Sequence, residues 1–206
     1  MNLYSLPLLQ LDEYKTVVDS IKRGALPCMT VGLSGVHKAN FISSAALELD
    51  RPMLIIAPDE LMARKLCDDI NEMSGGEAAA FYPAKEHVFR DVQTASGEYE
   101  QLRLSVLARL ADKSCKLAVC SVDAAMQYTI PKAELLARTA KISAGMEIPL
   151  QRVVEILEAA GYIKRPQIDA PAQYSVRGGL IDVFPPYRKT PVRIEFWGDE
   201  IDTVSE

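Results

Sequence analysis

Residues 173–204 read QYSVRGGLIDVFPPYRKTPVRIEFWGDEIDTV, and their alternation decides how this part of the chain folds. Over 191–197, Val192, Ile194 and Phe196 recur at every second position, with Arg193, Glu195 and Trp197 between them. A period of two is that of a strand with one buried face. The apolar set must face a core, so Arg193, Glu195 and Trp197 point to solvent. Tyr174 and Val176 share one parity, but beyond Gly178-Gly179 the apolar parity passes to Ile181 and Val183. A bulge at the glycine pair would absorb that change and leave Arg177, Leu180 and Asp182 on the outward face. Pairing through a turn from Pro185 to Thr190 would set Asp182 near Arg193, and Arg177 near Trp197.

Turn signals at Pro185-Pro186 and Gly198-Asp199 separate three extended segments, 173–184, 191–197 and 200–204. One helix precedes them, Pro149 to Ala160, with Val153, Val154, Ile156 and Leu157 apolar and Gly161 placed to end it. Residues 139–144 read as a further strand. Strands beside one helix predict a small α+β module with an antiparallel sheet over residues 139–206.

Upstream, over residues 1–138, strands and helices alternate. A short helical lead up to about residue 24 carries Val17, Val18 and Ile21. Pro27 to Val31 is strand-like, and Ala39 to Leu49 reads as a helix. Pro52 to Ala57 (PMLIIA) has the continuous apolar character of a strand buried on both faces. Asp59 can cap the next helix, which Gly75-Gly76 stops. Ala78 to Tyr82 is a strand, Pro83 to Ser96 a polar loop, and Lys116 to Ser121 another strand. Tyr99 to Leu110 is an amphipathic helix with Leu102, Val106, Leu107 and Leu110 on one stripe. This order predicts an α/β domain, a parallel sheet with helices on both faces.

The 206 residues carry a net charge of −5, which argues against an autonomous nucleic-acid binder. The four cysteines, Cys28, Cys67, Cys115 and Cys120, form no CxxC pair, and there are two histidines, His37 and His87. A zinc site is therefore not expected. Cys28, Cys115 and Cys120 lie in apolar runs, as small buried hydrophobes do. Reduced thiols fit a cytoplasmic protein. The first residues, MNLYSLPLLQLDEYK, lack a signal-peptide pattern, and no apolar run reaches the length of a membrane span. The chain stops at Glu206 inside an extended segment, which reads as an imposed boundary rather than a natural terminus.

Gly32-Leu33-Ser34-Gly35-Val36-His37-Lys38-Ala39 stands between an expected strand and an expected helix. A phosphate loop there reads GxxxxGK[ST]: the second Gly lets backbone N–H groups close on the phosphates, Lys reaches them, and the hydroxyl holds Mg²⁺. Gly32 and Lys38 suit that frame, with Gly35 at an unconstrained position between them. His37 stands where Gly is needed and Ala39 where Ser or Thr is needed. A Cβ crowds the cradle and a methyl cannot ligate a metal, so this degenerate loop is expected to bind no nucleotide. No acidic DExH-type strand end accompanies it, so ATP hydrolysis within these residues is not expected.

Arg and Trp exposed together are the residue types enriched at binding hot spots, which makes Arg177, Arg193 and Trp197 a candidate docking patch. The plainer alternative is a surface ion pair of Arg193 with Asp182 or Glu195, worth little, and an indole folded back onto the core.

The segments Tyr174 to Pro185 and Val192 to Asp202 resemble the signature shared by UvrB and the bacterial transcription-repair coupling factors (Mfd), and the resemblance extends to the degenerate loop at Gly32 and to Pro52–Glu60. The chain looks like the N-terminal region of a coupling factor, related to the N-terminal domains of UvrB. UvrB keeps an intact GK[ST] loop and a Tyr-rich hairpin; this chain has His37-Lys38-Ala39, and the segment between Tyr82 and Tyr99 is short and lacks that cluster. In coupling factors the small domain mimics UvrB and binds UvrA. Carried over by position, Arg177, Arg193 and Trp197 would be the UvrA contacts, with Trp where the family commonly has Phe.

The resemblance implies a non-catalytic module with no cofactor of its own. ATP and Mg²⁺ would belong to a motor lying outside these residues. RNA polymerase and double-stranded DNA would be reached only through other parts of the longer protein. Two alternatives stand beside it: a UvrB-like ATPase fragment that binds nucleotide at Gly32–Ala39, and a module that masks its own docking face by contact with the rest of its chain.

Overall fold

The structure, a computed structural model, describes residues 5–85, 98–186, 188 and 190–206. The expected polar loop from Pro83 to Ser96, His87 included, falls mostly outside these residues, as do parts of the Pro185–Thr190 turn. In chain order the elements are α1 (Leu6–Gln10), α2 (Asp12–Arg23), α3 (Gly35–Leu49), β1 (Met53–Ala57), α4 (Glu60–Ser74), β2 (Ala79–Tyr82), α5 (Glu98–Ala111), β3 (Leu117–Ser121), α6 (Val122–Met126), α7 (Lys132–Ala137), α8 (Leu150–Ala159), β4 (Ile163–Lys164), β5 (Gln173–Arg177), β6 (Leu180–Phe184), β7 (Val192–Trp197) and β8 (Glu200–Ser205). The chain divides into two compact units, residues 1–99 with 112–127, and residues 100–111 with 128–206. No described helix is long and apolar enough to cross a membrane.

The first unit is built on a parallel sheet of order β1-β3-β2. Asp59 caps α4 as its position suggests, its Oδ1 accepting the Met62 N–H at 2.7 Å, and Gly75 closes the helix at φ 70°. Ala39, Ala63, Cys67 and Ile70 pack with Ala79, Leu117 and Val119 into one core. Asn71 pairs with the edge strand β2 through its side-chain amide, giving Nδ2–H to Ala79 O (3.1 Å) and accepting the Ala79 N–H (2.8 Å).

Four expectations fail among the described residues, the last only in part. Pro27–Val31 forms no strand: the sheet ends at β1 and β2 and neither edge pairs with this run, which leaves Met29 and Val31 more than 80% exposed. Cys28 is accordingly exposed, while Cys67, Cys115 and Cys120 are buried. β1 is covered on one face only, because Leu54 and Ile56 are exposed on an edge strand. Along α5 the buried side chains are Arg103 and Val106, whereas Leu102 is exposed.

The second unit holds a five-stranded mixed sheet, order β4-β5-β6-β7-β8, antiparallel except for the short β4–β5 pair. α8 lays Val153, Val154 and Leu157 on Tyr174, Ile181, Val183, Val192, Ile194 and Ile201. Residues 139–144 are not a strand. The chain turns sharply at Gly145 (φ 78°) and meets β8 only after that turn, over 145–148, where Gly145 N–H donates to Ile201 O (2.8 Å) and Met146 O accepts the Ile201 N–H (2.9 Å) around the bridge of Glu147 to Glu200.

Candidate protein-docking site

The expected bulge at Gly178-Gly179 is instead a two-residue hairpin turn. Arg177 pairs with Leu180, Val176 with Ile181, and Tyr174 with Val183. Gly178 takes φ 60° and Gly179 does not share a positive φ, the pattern of a type II′ turn, which favours Gly at its first central position. Reversal through an even loop explains the parity change: residues facing each other across an antiparallel ladder lie on the same face. Gly179 is also a point of close approach. Its carbonyl accepts the Phe196 N–H at 2.8 Å, and a Cβ there would stand 3.1 Å from Phe196 O.

The register then builds the site. Leu180 pairs with Glu195, and Asp182 with Arg193. Ile181, Val183, Val192 and Ile194 face the core. The opposite face therefore carries Arg177, Asp182, Arg193 and Glu195 in neighbouring rows. Trp197 continues the outward alternation of β7 and pairs with Glu200 across the Gly198-Asp199 turn. The one register irregularity between β7 and β8, at Glu195/Phe196, leaves Asp202 without a Cα partner on β7 and does not disturb β7 itself. Trp197 is 83% exposed. The structure thus brings Arg177, Arg193 and Trp197 to one face of one sheet, with the indole outside the core.

Arg193 does pair with Asp182, side-on and bidentate: Nε–H to Oδ1 at 2.7 Å and Nη2–H to Oδ2 at 3.0 Å. The Arg193 hydrogen bond, followed by the charges of Arg193 and Arg177, holds the Asp182 carboxyl below the usual carboxylate range against partial desolvation. Arg177 donates from Nη2 to Pro166 O at 2.6 Å. The Asp182–Arg193 neighbourhood was legible in the strand alternation. The Pro166 contact was not, because a loop carbonyl leaves no mark in the sequence.

The expected phosphate loop has a different setting. Gly32 adopts φ 85°, Ser34 is the N-cap of α3, and Gly35, His37, Lys38 and Ala39 already lie in the helix. Ser34 Oγ and His37 Nδ1 are 3.0 Å apart. Lys38 is exposed. Ala39 is fully buried in the core of the first unit, so its methyl fills packed space rather than a ligand cradle.

Residues 140–206, which contain the whole candidate face, match the UvrB interaction domain family. The chain is 29% identical over 194 residues to the transcription-repair-coupling factor of Bacillus subtilis, a match covering 94% of this chain and 16% of that protein. It is also 29% identical over 198 residues to the coupling factor of Myxococcus xanthus, again 16% of that protein. UvrABC system protein B of Thermus thermophilus is 26% identical over 204 residues, 30% of its length. The chain therefore spans less than a third of each of these relatives. Over most of its length the chain is thus similar to the transcription-repair-coupling factors and to UvrB, and its residues 140–206 match the UvrB interaction domain family.

Proposed function

We propose that this chain is a non-catalytic docking module of a transcription-repair coupling factor, and that its second unit binds UvrA and so brings nucleotide excision repair to stalled RNA polymerase. Residues 139–206 form the UvrB-like docking domain in this reading, and Arg177, Arg193 and Trp197 are the contacts. The observation that carries it is the exposed indole of Trp197, standing on the same sheet face as both arginines inside the segment that matches the UvrB interaction domain. Trp and Arg, presented together, are the residue types that dominate the energetics of protein interfaces. Contacts with RNA polymerase and double-stranded DNA belong to parts of the longer protein.

The test is calorimetric titration of this chain with purified bacterial UvrA. Arg177→Ala combined with Arg193→Ala should weaken binding by about a hundredfold or more, since truncating a hot spot costs about 2 kcal/mol or more. Far-UV circular dichroism should show the fold retained. Unchanged affinity in the folded double variant would remove the proposal.

A further inference from the structure

Arg193 is not simply neutralised by Asp182; it is oriented by it. A guanidinium offers Nε–H and two N–H groups on each Nη in a rigid planar fork. Asp182 occupies one edge of that fork, Nε–H and one Nη2–H. The outer edge, the second Nη2–H with the Nη1–H pair, makes no hydrogen bond among the described residues, and the Arg193 side chain is 49% exposed. Asp182 itself sits low on the sheet, its side chain only 18% exposed. The pair therefore stands with the carboxylate at the base and the open guanidinium edge turned to solvent.

The charge of the face restricts what that edge can receive. Arg177 and Arg193 are balanced on the same face by Asp182 and Glu195. A face without net positive charge exerts little attraction on a polyanion such as nucleic acid. It can still accept one carboxylate by geometry, because the outer edge of a guanidinium matches a carboxylate bidentately.

We propose that Asp182 is the positioning residue of the docking face: by holding Arg193 side-on, it aims the outer guanidinium edge at a single Asp or Glu carboxylate of the partner protein. This rests on the docking function proposed above. Arg177, tied to the Pro166 carbonyl, flanks the same spot.

The test compares the unmodified chain, Asp182→Ala and Asp182→Asn, each titrated with UvrA at low and high salt, with ¹⁵N NMR of the Arg193 Nε–H as a direct report on orientation. Asp182→Ala makes the face more positive, so a purely electrostatic site would bind as well or better. Positioning predicts the opposite sign: about a tenfold loss, in the range of a mispositioned charge-assisted hydrogen bond, with the Nε–H signal broadened. Asp182→Asn keeps an oxygen acceptor for Nε–H and should return affinity to within about threefold of the parent, with the signal restored. Salt should change the affinity little. Equal or tighter binding by Asp182→Ala, equal loss in the Asn variant with its signal intact, or a steep salt dependence would each overturn the positioning role. Failure of the unmodified chain to bind UvrA would instead overturn the docking function, so the two failures are distinguishable.

Discussion

Tyr174→Phe should separate the stability of the docking sheet from its docking. Tyr174 is fully buried on the core side of β5, and its hydroxyl donates to Glu158 Oε1 at 2.8 Å, tying the strand to the end of α8. Burial first, then the Glu158 hydrogen bond and its charge, push the phenol from 10.0 up to about 12. Phe keeps the ring contacts and loses only the hydroxyl. A hydrogen bond to a charged acceptor contributes about 1.5–3 kcal/mol; Glu158 is exposed and is rehydrated when the phenol goes, so the loss should lie near 1.5 kcal/mol, the lower end of that range.

The pH dependence follows from the direction of the shift. The native state disfavours phenolate, so this stabilisation is complete below the unfolded pKa and is lost as pH rises through the folded one. The loss approaches about 2.7 kcal/mol at the limit and reaches about 1.4 kcal/mol by pH 11, at about 1.36 kcal/mol per unit. Urea unfolding is followed by far-UV circular dichroism, because Trp197 is already 83% exposed in the native state and its emission would change little. The advantage of the parent over Tyr174→Phe should fall from about 1.5 kcal/mol near pH 8 to about zero near pH 11, while UvrA affinity at pH 8 is unchanged. A difference that does not vary with pH would refute the argument that burial and Glu158 keep the phenol protonated.

Asp59→Ala removes the oxygen that accepts the Met62 N–H and should lower the stability of the first unit by about 1 kcal/mol, read as a drop in the far-UV thermal midpoint; Asp59→Asn should recover most of it, and equal losses would refute the capping role. Gly179→Ala places a methyl 3.1 Å from Phe196 O, so β7 must yield by a few tenths of an ångström beside Trp197. Both stability (by about 1–2 kcal/mol) and UvrA affinity should fall, and a variant matching the parent in both titrations would show that β7 is not held against the turn.

The strands of the second unit were legible because one face of each is solvated. Alternation then marks the strand and its outward face, and Asp182 near Arg193 could be read from that parity together with pairing through the Pro185–Thr190 turn. The turn at Gly178-Gly179 could not. A bulge and a two-residue hairpin change apolar parity in the same way, and only the position of the next strand decides between them. Short apolar runs failed for a related reason. Pro27–Val31 has the composition of a strand but pairs with neither edge of the three-stranded sheet, and Pro52–Ala57 looks doubly buried although Leu54 and Ile56 face outward. At the candidate site the residue types were visible in the sequence. What remained hidden was how Asp182 and the Pro166 carbonyl hold two of them.

The division of labour among the three side chains follows from what each must give up on binding. An interfacial ion pair recovers little net free energy once its charges are desolvated. The arginines are well placed to select geometry: Val192 and Ile194 are buried on either side of Arg193, so the core fixes where that guanidinium stands before a partner arrives. Trp197 has no such constraint and lies at the end of its strand, 83% exposed. Covering an aromatic of about 150–250 Å² at about 25 cal/mol per Å² contributes roughly 4–6 kcal/mol. The indole should therefore supply most of the buried apolar area, while the arginines act by geometry and, when truncated, by the cost of leaving a partner's charge unpaired. A Phe at that position would leave the arginines' part intact while surrendering some of that area.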